Sequence, residues 1–159
     1  MILLKFIFAM FLSFLPGIIG VIFTPVSTGE NLWYNTLENS LFTPAGWVFS
    51  AVWMILYLLI GIALFIIMQT PKSKKYHSKT GAYIFFATNI ILNTLWSIVF
   101  FGTQSPTAAL LILMALIIVS IFMAREFFRI NTAAFWCVLP YVLWLMFAFY
   151  LNGMIVYLN

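Results

Sequence analysis

Long apolar runs alternate with short polar breaks along this chain, and the runs predict its elements. The first run covers about 5–23. Pro16-Gly17 interrupts it and no small-residue cleavage site follows, so it reads as a membrane span with a candidate kink at Pro16, not as a secretory leader. Residues 24–44 are the longest stretch that is not apolar, with Pro25, Gly29, Glu30, Trp33, Tyr34, Glu38 and Asn39. They predict a long external loop with a short amphipathic turn at about 33–37. Four more runs follow at about 46–68, 81–101, 107–123 and 132–157. Their breaks are Gln69-Thr70-Pro71 with the lysines beyond it, Gly102 to Pro106, and the segment with Arg125, Glu126 and Arg129. A single span needs about 20 apolar residues. The pattern therefore predicts an all-α integral membrane bundle of five transmembrane helices, with 1–159 as a single domain.

Composition strengthens this reading. Of the 159 residues, 65% are hydrophobic and 6% charged, whereas a soluble domain carries about 25% charged residues. So few charges cannot build a water-facing surface, and lipid must be the main solvent. The net charge of +4 is read through topology, not as a nucleic-acid signal. Five spans bring the N-terminus, the loop after the second span and the loop after the fourth to one side. That side holds Lys5, Lys72, Lys74, Lys75, Lys79, Arg125 and Arg129, all seven basic residues. The other side holds Glu30 and Glu38, and four or six spans would break this segregation. Basic residues mark cytoplasmic ends, which predicts a cell-membrane protein with the N-terminus and Lys-rich loop inside and residues 24–44 and the C-terminus outside. The lysine run reads first as this topology signal, with anionic-lipid contact as the alternative. Lone His77 reads as solvated, and Cys137, the single cysteine, reads as a small apolar helix residue.

Polar groups inside a span are costly and turn toward other helices or a cavity. Asn89, Asn93, Trp96 and Phe100 recur at helical spacing, as do Trp53 with Tyr57 and Tyr141 with Trp144, Ala148 and Asn152. Counting about 1.5 Å per residue puts Trp53 about 10–12 Å, Trp96 about 8 Å and Ala148 about 14 Å below the outer ends of their spans. Three aromatic-plus-polar stripes thus meet in the outer half of the bundle, under the 24–44 loop. Such a pocket suits a flat apolar ligand whose faces stack on indoles and whose edge bonds Asn89, Asn93 or a Trp N–H. Taken singly, each stripe is better explained by interhelical packing than by a ligand pocket. Trp53 and Trp144 lie too deep for an interfacial aromatic belt. Pro140 interrupts the last span and frees the carbonyl of Trp136, a feature that shapes the bundle.

Catalysis is poorly supported. There is one histidine, no aspartate and three glutamates, all near membrane surfaces, and no carboxylate pair, metal-ligand spacing or phosphate loop. Proton-coupled transport lacks an ionisable carboxylate within a span. No metal or required cofactor is expected.

At these residues the chain resembles the translocator protein family, the TspO/MBR or tryptophan-rich sensory proteins. Trp33-Tyr34-x-x-Leu37 is similar to its W-Y-x-x-L. Phe42-Thr43-Pro44 with Trp47, then Val52-Trp53-x-x-Leu56-Tyr57-x-x-x-Gly61, follow its second-span pattern. Leu92-Asn93-x-x-Trp96 with Phe100-Phe101-Gly102 resembles the third-span motif, and Pro140-Tyr141-x-x-Trp144-x-x-Phe147-Ala148-x-x-Leu151-Asn152 the fifth. The resemblance implies a five-helix bundle, often a homodimer, that binds porphyrin or haem and, in animal members, cholesterol and drug-like ligands. It implies ligand contacts at Tyr34, Trp53, Asn89, Trp96, Trp144, Ala148 and Leu151. Some bacterial members are associated with light-dependent porphyrin breakdown, which would engage Trp53 and Trp144. A membrane receptor or sensor for porphyrin-like ligands is the leading expectation, with a passive transporter and a porphyrin-degrading protein as alternatives. Ser40 and Ala45 stand where the family has prolines, implying a less rigid loop. The segment ending at Asn159 lacks the basic residue of the cholesterol-recognition pattern, which argues against cholesterol.

Overall fold

The computed structural model describes residues 2–23, 33–71 and 78–159. The expectations on Glu30, Lys72, Lys74, Lys75 and His77, and on the loop before Trp33, fall outside them. Six α-helices follow in order: α1 Ile2–Phe23, α2 Trp33–Thr36, α3 Gly46–Gln69, α4 Thr80–Ser97, α5 Pro106–Ile130 and α6 Thr132–Leu158. A π-helical turn, Ile98–Gly102, prolongs α4. Five of these are long and apolar enough to cross a membrane, at 22 to 27 residues each with the π turn counted in. At about 1.5 Å per residue they reach 33 Å or more, enough for a hydrocarbon core of about 30 Å.

α5 runs seven residues past the expected span end at 123. Hydropathy falls at Arg125, but the backbone ladder continues, and Phe127 and Ile130 are buried on its far turn. Arg129 Nη1 donates to Glu126 Oε1 at 2.7 Å along that turn, an exposed i,i+3 pair that supports the helix by only a few tenths of a kcal/mol. Pro16 and Pro140 lie inside continuous helices.

The spans close into a ring, α1–α3–α6–α5–α4, in which α1 sits between α3 and α4. Its polarity is inverted relative to a soluble protein. Phe11, Met54, Ile91, Leu111, Ile118 and Leu143 are exposed, whereas Ser13, Asn89, Asn93, Ser97, Ser120 and Asn152 are buried. Hydrocarbon solvates apolar side chains at no cost, but a lipid-exposed amide would lose its hydrogen bonds, so the amides face one another.

Two polar ends cap the ring. At one, Lys5 Nζ donates to Gln69 Oε1 at 3.3 Å, Asn131 Nδ2 to Thr70 Oγ1 at 3.1 Å, and Lys79 Nζ to the carbonyls of Ile67 and Thr70. Arg125 and Arg129 close α5 at this same end. At the other end Asn159 clasps the backbone of Glu38. Its Oδ1 accepts from Glu38 N at 2.9 Å and its Nδ2 donates to Glu38 O at 3.1 Å. Nearby, Ser40 Oγ and Tyr150 OH share a hydrogen bond of 3.0 Å. The segment after α2 is thereby fastened to the end of α6.

Candidate functional site

Beneath that fastened segment lies a cavity of about 750 Å³. α2 supplies Tyr34 and the linker Thr43 and Pro44; α3 supplies Phe49, the α4 extension Trp96, Phe100 and Phe101, and α6 Ala148, Leu151 and Asn152. Val21, Trp47 and Ser50, all exposed, form its rim on the α1–α3 side.

Local sequence explains the wall. Trp96 and Phe100 are four apart, and their rings stack at 5.2 Å and 24°. The π turn then brings Phe101 edge-on to Phe100 at 4.8 Å. The ladder widens by one residue here, with Thr103 N bonding Ile98 O at 3.1 Å, and both phenylalanines line the cavity. α2 rests on this wall through Trp33 at 5.6 Å and Tyr34 at 6.2 Å from Phe100. Burial raises the Tyr34 phenol above its ordinary range, so it stays a neutral donor. Trp96 Nε1 donates to Asn152 Oδ1 at 3.1 Å, and Asn152 Nδ2 donates to the carbonyl of Pro106 at 2.9 Å, which ties α4, α6 and α5 together at the cavity edge.

Of the expected site residues, Tyr34, Trp96, Ala148 and Leu151 line the cavity. Asn89 and Asn93 lie deeper on α4 and are spoken for. Asn93 Nδ2 donates to Tyr141 OH at 2.9 Å; that hydroxyl donates to Asn89 Oδ1 at 3.1 Å; Asn89 Nδ2 donates to Ser120 Oγ at 2.7 Å; and Ser120 donates to Leu116 O at 2.6 Å. Tyr57 OH approaches Asn93 Oδ1 at 3.5 Å. The network joins α3, α4, α5 and α6 without an ionisable carboxylate among its members.

Trp53 and Trp144 stand behind the wall. Phe49, which lines the cavity, packs on both, at 6.1 Å from Trp53 and 5.7 Å from Trp144. Trp53 also packs against Tyr57 at 5.3 Å and Tyr141 at 6.2 Å. Trp144 Nε1 is buried and has no hydrogen-bond partner. Sequence reasoning did not select Phe49, Phe101 or Val21 for the site. Asn152 and Phe100 carried a signal in their helical spacing, and Phe101 in its motif, but Phe49 and Val21 carried none.

A ring of five apolar helices with an aromatic cavity at one end defines a multi-pass membrane protein with a candidate ligand site. Comparison with known proteins sharpens that class: the model of the TspO/MBR family matches residues 9–158, and the chain belongs to this family. It is 37% identical over 143 residues to the tryptophan-rich protein TspO of Archaeoglobus fulgidus, covering 90% of this chain and 89% of the relative. It is 32% identical to the tryptophan-rich sensory protein of Cereibacter sphaeroides, over 91% of this chain and 87% of the relative. The translocator protein of Bos taurus is similar at 28% identity, over 88% and 83%.

Proposed function

We propose that this protein is a membrane receptor or sensor that takes a porphyrin or a similarly flat, apolar ligand into the cavity beneath α2. The carrying observation is the wall of Trp96, Phe100, Phe101, Tyr34 and Phe49 around about 750 Å³, with amide groups only at its edge. Ring faces bind by stacking and area burial, and a few polar groups orient the ligand. Among the described lining residues there is no His, Cys or Met, and Tyr34, the one phenol, is kept protonated by burial, so stacking carries the affinity for a metal-free porphyrin and for haem alike. The buried, unpartnered N–H of Trp144 supports the same reading: a ring displacing Phe49 would offer it an acceptor. Relatives that carry sensory and translocator names fit a ligand-responsive role.

Titration with protoporphyrin, followed by quenching of tryptophan fluorescence, tests the site. Ala148→Phe fills the cavity from a buried position and is expected to weaken binding at least tenfold, the loss of about 1.4 kcal/mol. Trp53→Phe and Trp144→Phe are expected to reduce quenching, while Trp136→Phe, at an exposed site near the start of α6, leaves it nearly intact. Unchanged affinity in Ala148→Phe would remove the ligand from this cavity.

The basic end is the cytoplasmic end in this proposal, in the plasma membrane of the cell, with α2 and its cavity at the outer face.

A further inference from the structure

A second groove lies in the opposite half of the bundle, on the lipid-facing surface between α1, α3 and α4. Phe8 and Leu12 of α1, Leu64 and Met68 of α3, and Tyr83 and Phe86 of α4 line it, around about 310 Å³. Every one of these residues is apolar or aromatic, and Phe8 and Tyr83 are exposed. None of them belongs to the cavity beneath α2.

Its axial position says what it fits. Phe8 and Leu12 follow Lys5 by about 4.5 and 10 Å of helix rise, and Tyr83 and Phe86 follow Lys79 by about 6 and 10 Å. The groove thus begins just below the two lysines and runs toward the middle of the membrane, over most of one leaflet's hydrocarbon depth of about 15 Å. Both lysines are held at this end of the bundle by the last turn of α3. Lys5 Nζ donates to the neutral amide of Gln69, and Lys79 Nζ to two carbonyls at the end of α3. Among the described residues the one carboxylate at this end is that of Glu126, which sits beside Gly81 and is paired with Arg129 at 2.7 Å. An apolar slot of acyl-chain depth under a fixed pair of ammonium groups has both halves of one partner's chemistry.

We propose that this groove is a binding site for an anionic glycerophospholipid of the adjoining leaflet. One acyl chain lies along Phe8, Leu12 and Phe86, and the phosphodiester lies at Lys5 and Lys79. A lysine near a charged lipid surface contributes about fivefold to affinity. The aromatic rings and Met68 give the chain a shaped wall, so the site selects a bound lipid in place of a diffuse counter-ion layer.

The test is native mass spectrometry of the full chain released from nanodiscs of equimolar phosphatidylglycerol and phosphatidylcholine. Wild type is expected to retain phosphatidylglycerol over phosphatidylcholine. Lys5→Gln is expected to lower that preference about fivefold, whereas Arg125→Gln, which removes the same charge from α5, leaves it within a factor of two. Ala87→Phe, at the groove's exposed edge, is expected to lower retention of both lipids while leaving porphyrin quenching intact. Equal retention of the two lipids by wild type would overturn the proposal. So would equal losses in Lys5→Gln and Arg125→Gln, since general surface charge would then account for the preference. Unchanged retention in Ala87→Phe would overturn the acyl slot. Porphyrin binding is read separately, so failure at this groove leaves the cavity beneath α2 unaffected.

Discussion

Tyr141 is the residue on which the buried polar chemistry turns. Its single hydroxyl accepts from Asn93 and donates to Asn89, with its ring fully buried. Tyr141→Phe keeps the ring but strands an amide donor on Asn93 and an acceptor on Asn89. An unsatisfied buried group costs about 1–3 kcal/mol, and interhelical hydrogen bonds in membrane proteins average nearer 0.6 kcal/mol. The expected loss is therefore about 1–2 kcal/mol, read as a fall in the denaturant midpoint in detergent. Asn93→Leu alone should cost less than Tyr141→Phe, because Tyr141 keeps its bond to Asn89. The same residues mark the limit of what the chain discloses before folding. The spacing of Asn89, Asn93 and Trp96 correctly puts them on one buried face, yet it names no partner for any of them. Three-dimensional packing splits the stripe. The two asparagines meet Tyr141, while Trp96 meets Asn152 and the cavity. Phe49 is equally opaque, because a phenylalanine on an apolar helix carries no polar contrast to mark its face.

At the scale of elements, close helix approach rests on glycine at defined heights. A Cβ on Gly61 of α3 would stand 2.6 Å from Ser13 Oγ and 2.7 Å from Met10 Cε of α1. Gly61→Ala therefore forces both side chains to move, at about 1–3 kcal/mol. On Gly153 of α6 a Cβ would meet nothing within 4 Å, and Gly153→Ala should gain about 1 kcal/mol from helix propensity. Thermal unfolding of the two variants is expected to move in opposite directions. Five long apolar runs were plain in the sequence because lipid demands unbroken hydropathy over each span. Helix ends were less so: α5 continues through Arg125, Glu126 and Arg129, since water outside the membrane tolerates a polar helix as readily as a polar loop. The π turn was invisible, being a backbone choice that leaves no hydropathy mark.

For the whole molecule, the ring order α1–α3–α6–α5–α4 puts the two sites at opposite polar ends, one under α2 and the other beside the lysines. Charge segregation predicted which ends of the spans lie together, and the contacts among Lys5, Gln69, Thr70, Lys79 and Asn131 carry that grouping. The direction in the membrane is tested by labelling. In a Cys137→Ser background, Leu41→Cys, at a fully exposed position near α2, is expected to react with an impermeant maleimide on intact cells. Ser78→Cys should react only after the cells are opened. The reverse pattern would invert the proposed orientation.

The π turn has a consequence for which in-frame deletions the gene can bear. One surplus residue in Ile98–Gly102 is what a single-codon insertion into an older, regular helix would leave behind. Deleting the codon for Val99 should therefore be unusually well tolerated as a membrane-inserted fold, since the ladder can close with regular spacing. It would nevertheless swing Trp96 and Phe101 out of their mutual register by about a quarter turn. Such a shortened protein would reach the membrane in normal amounts with an altered ligand repertoire.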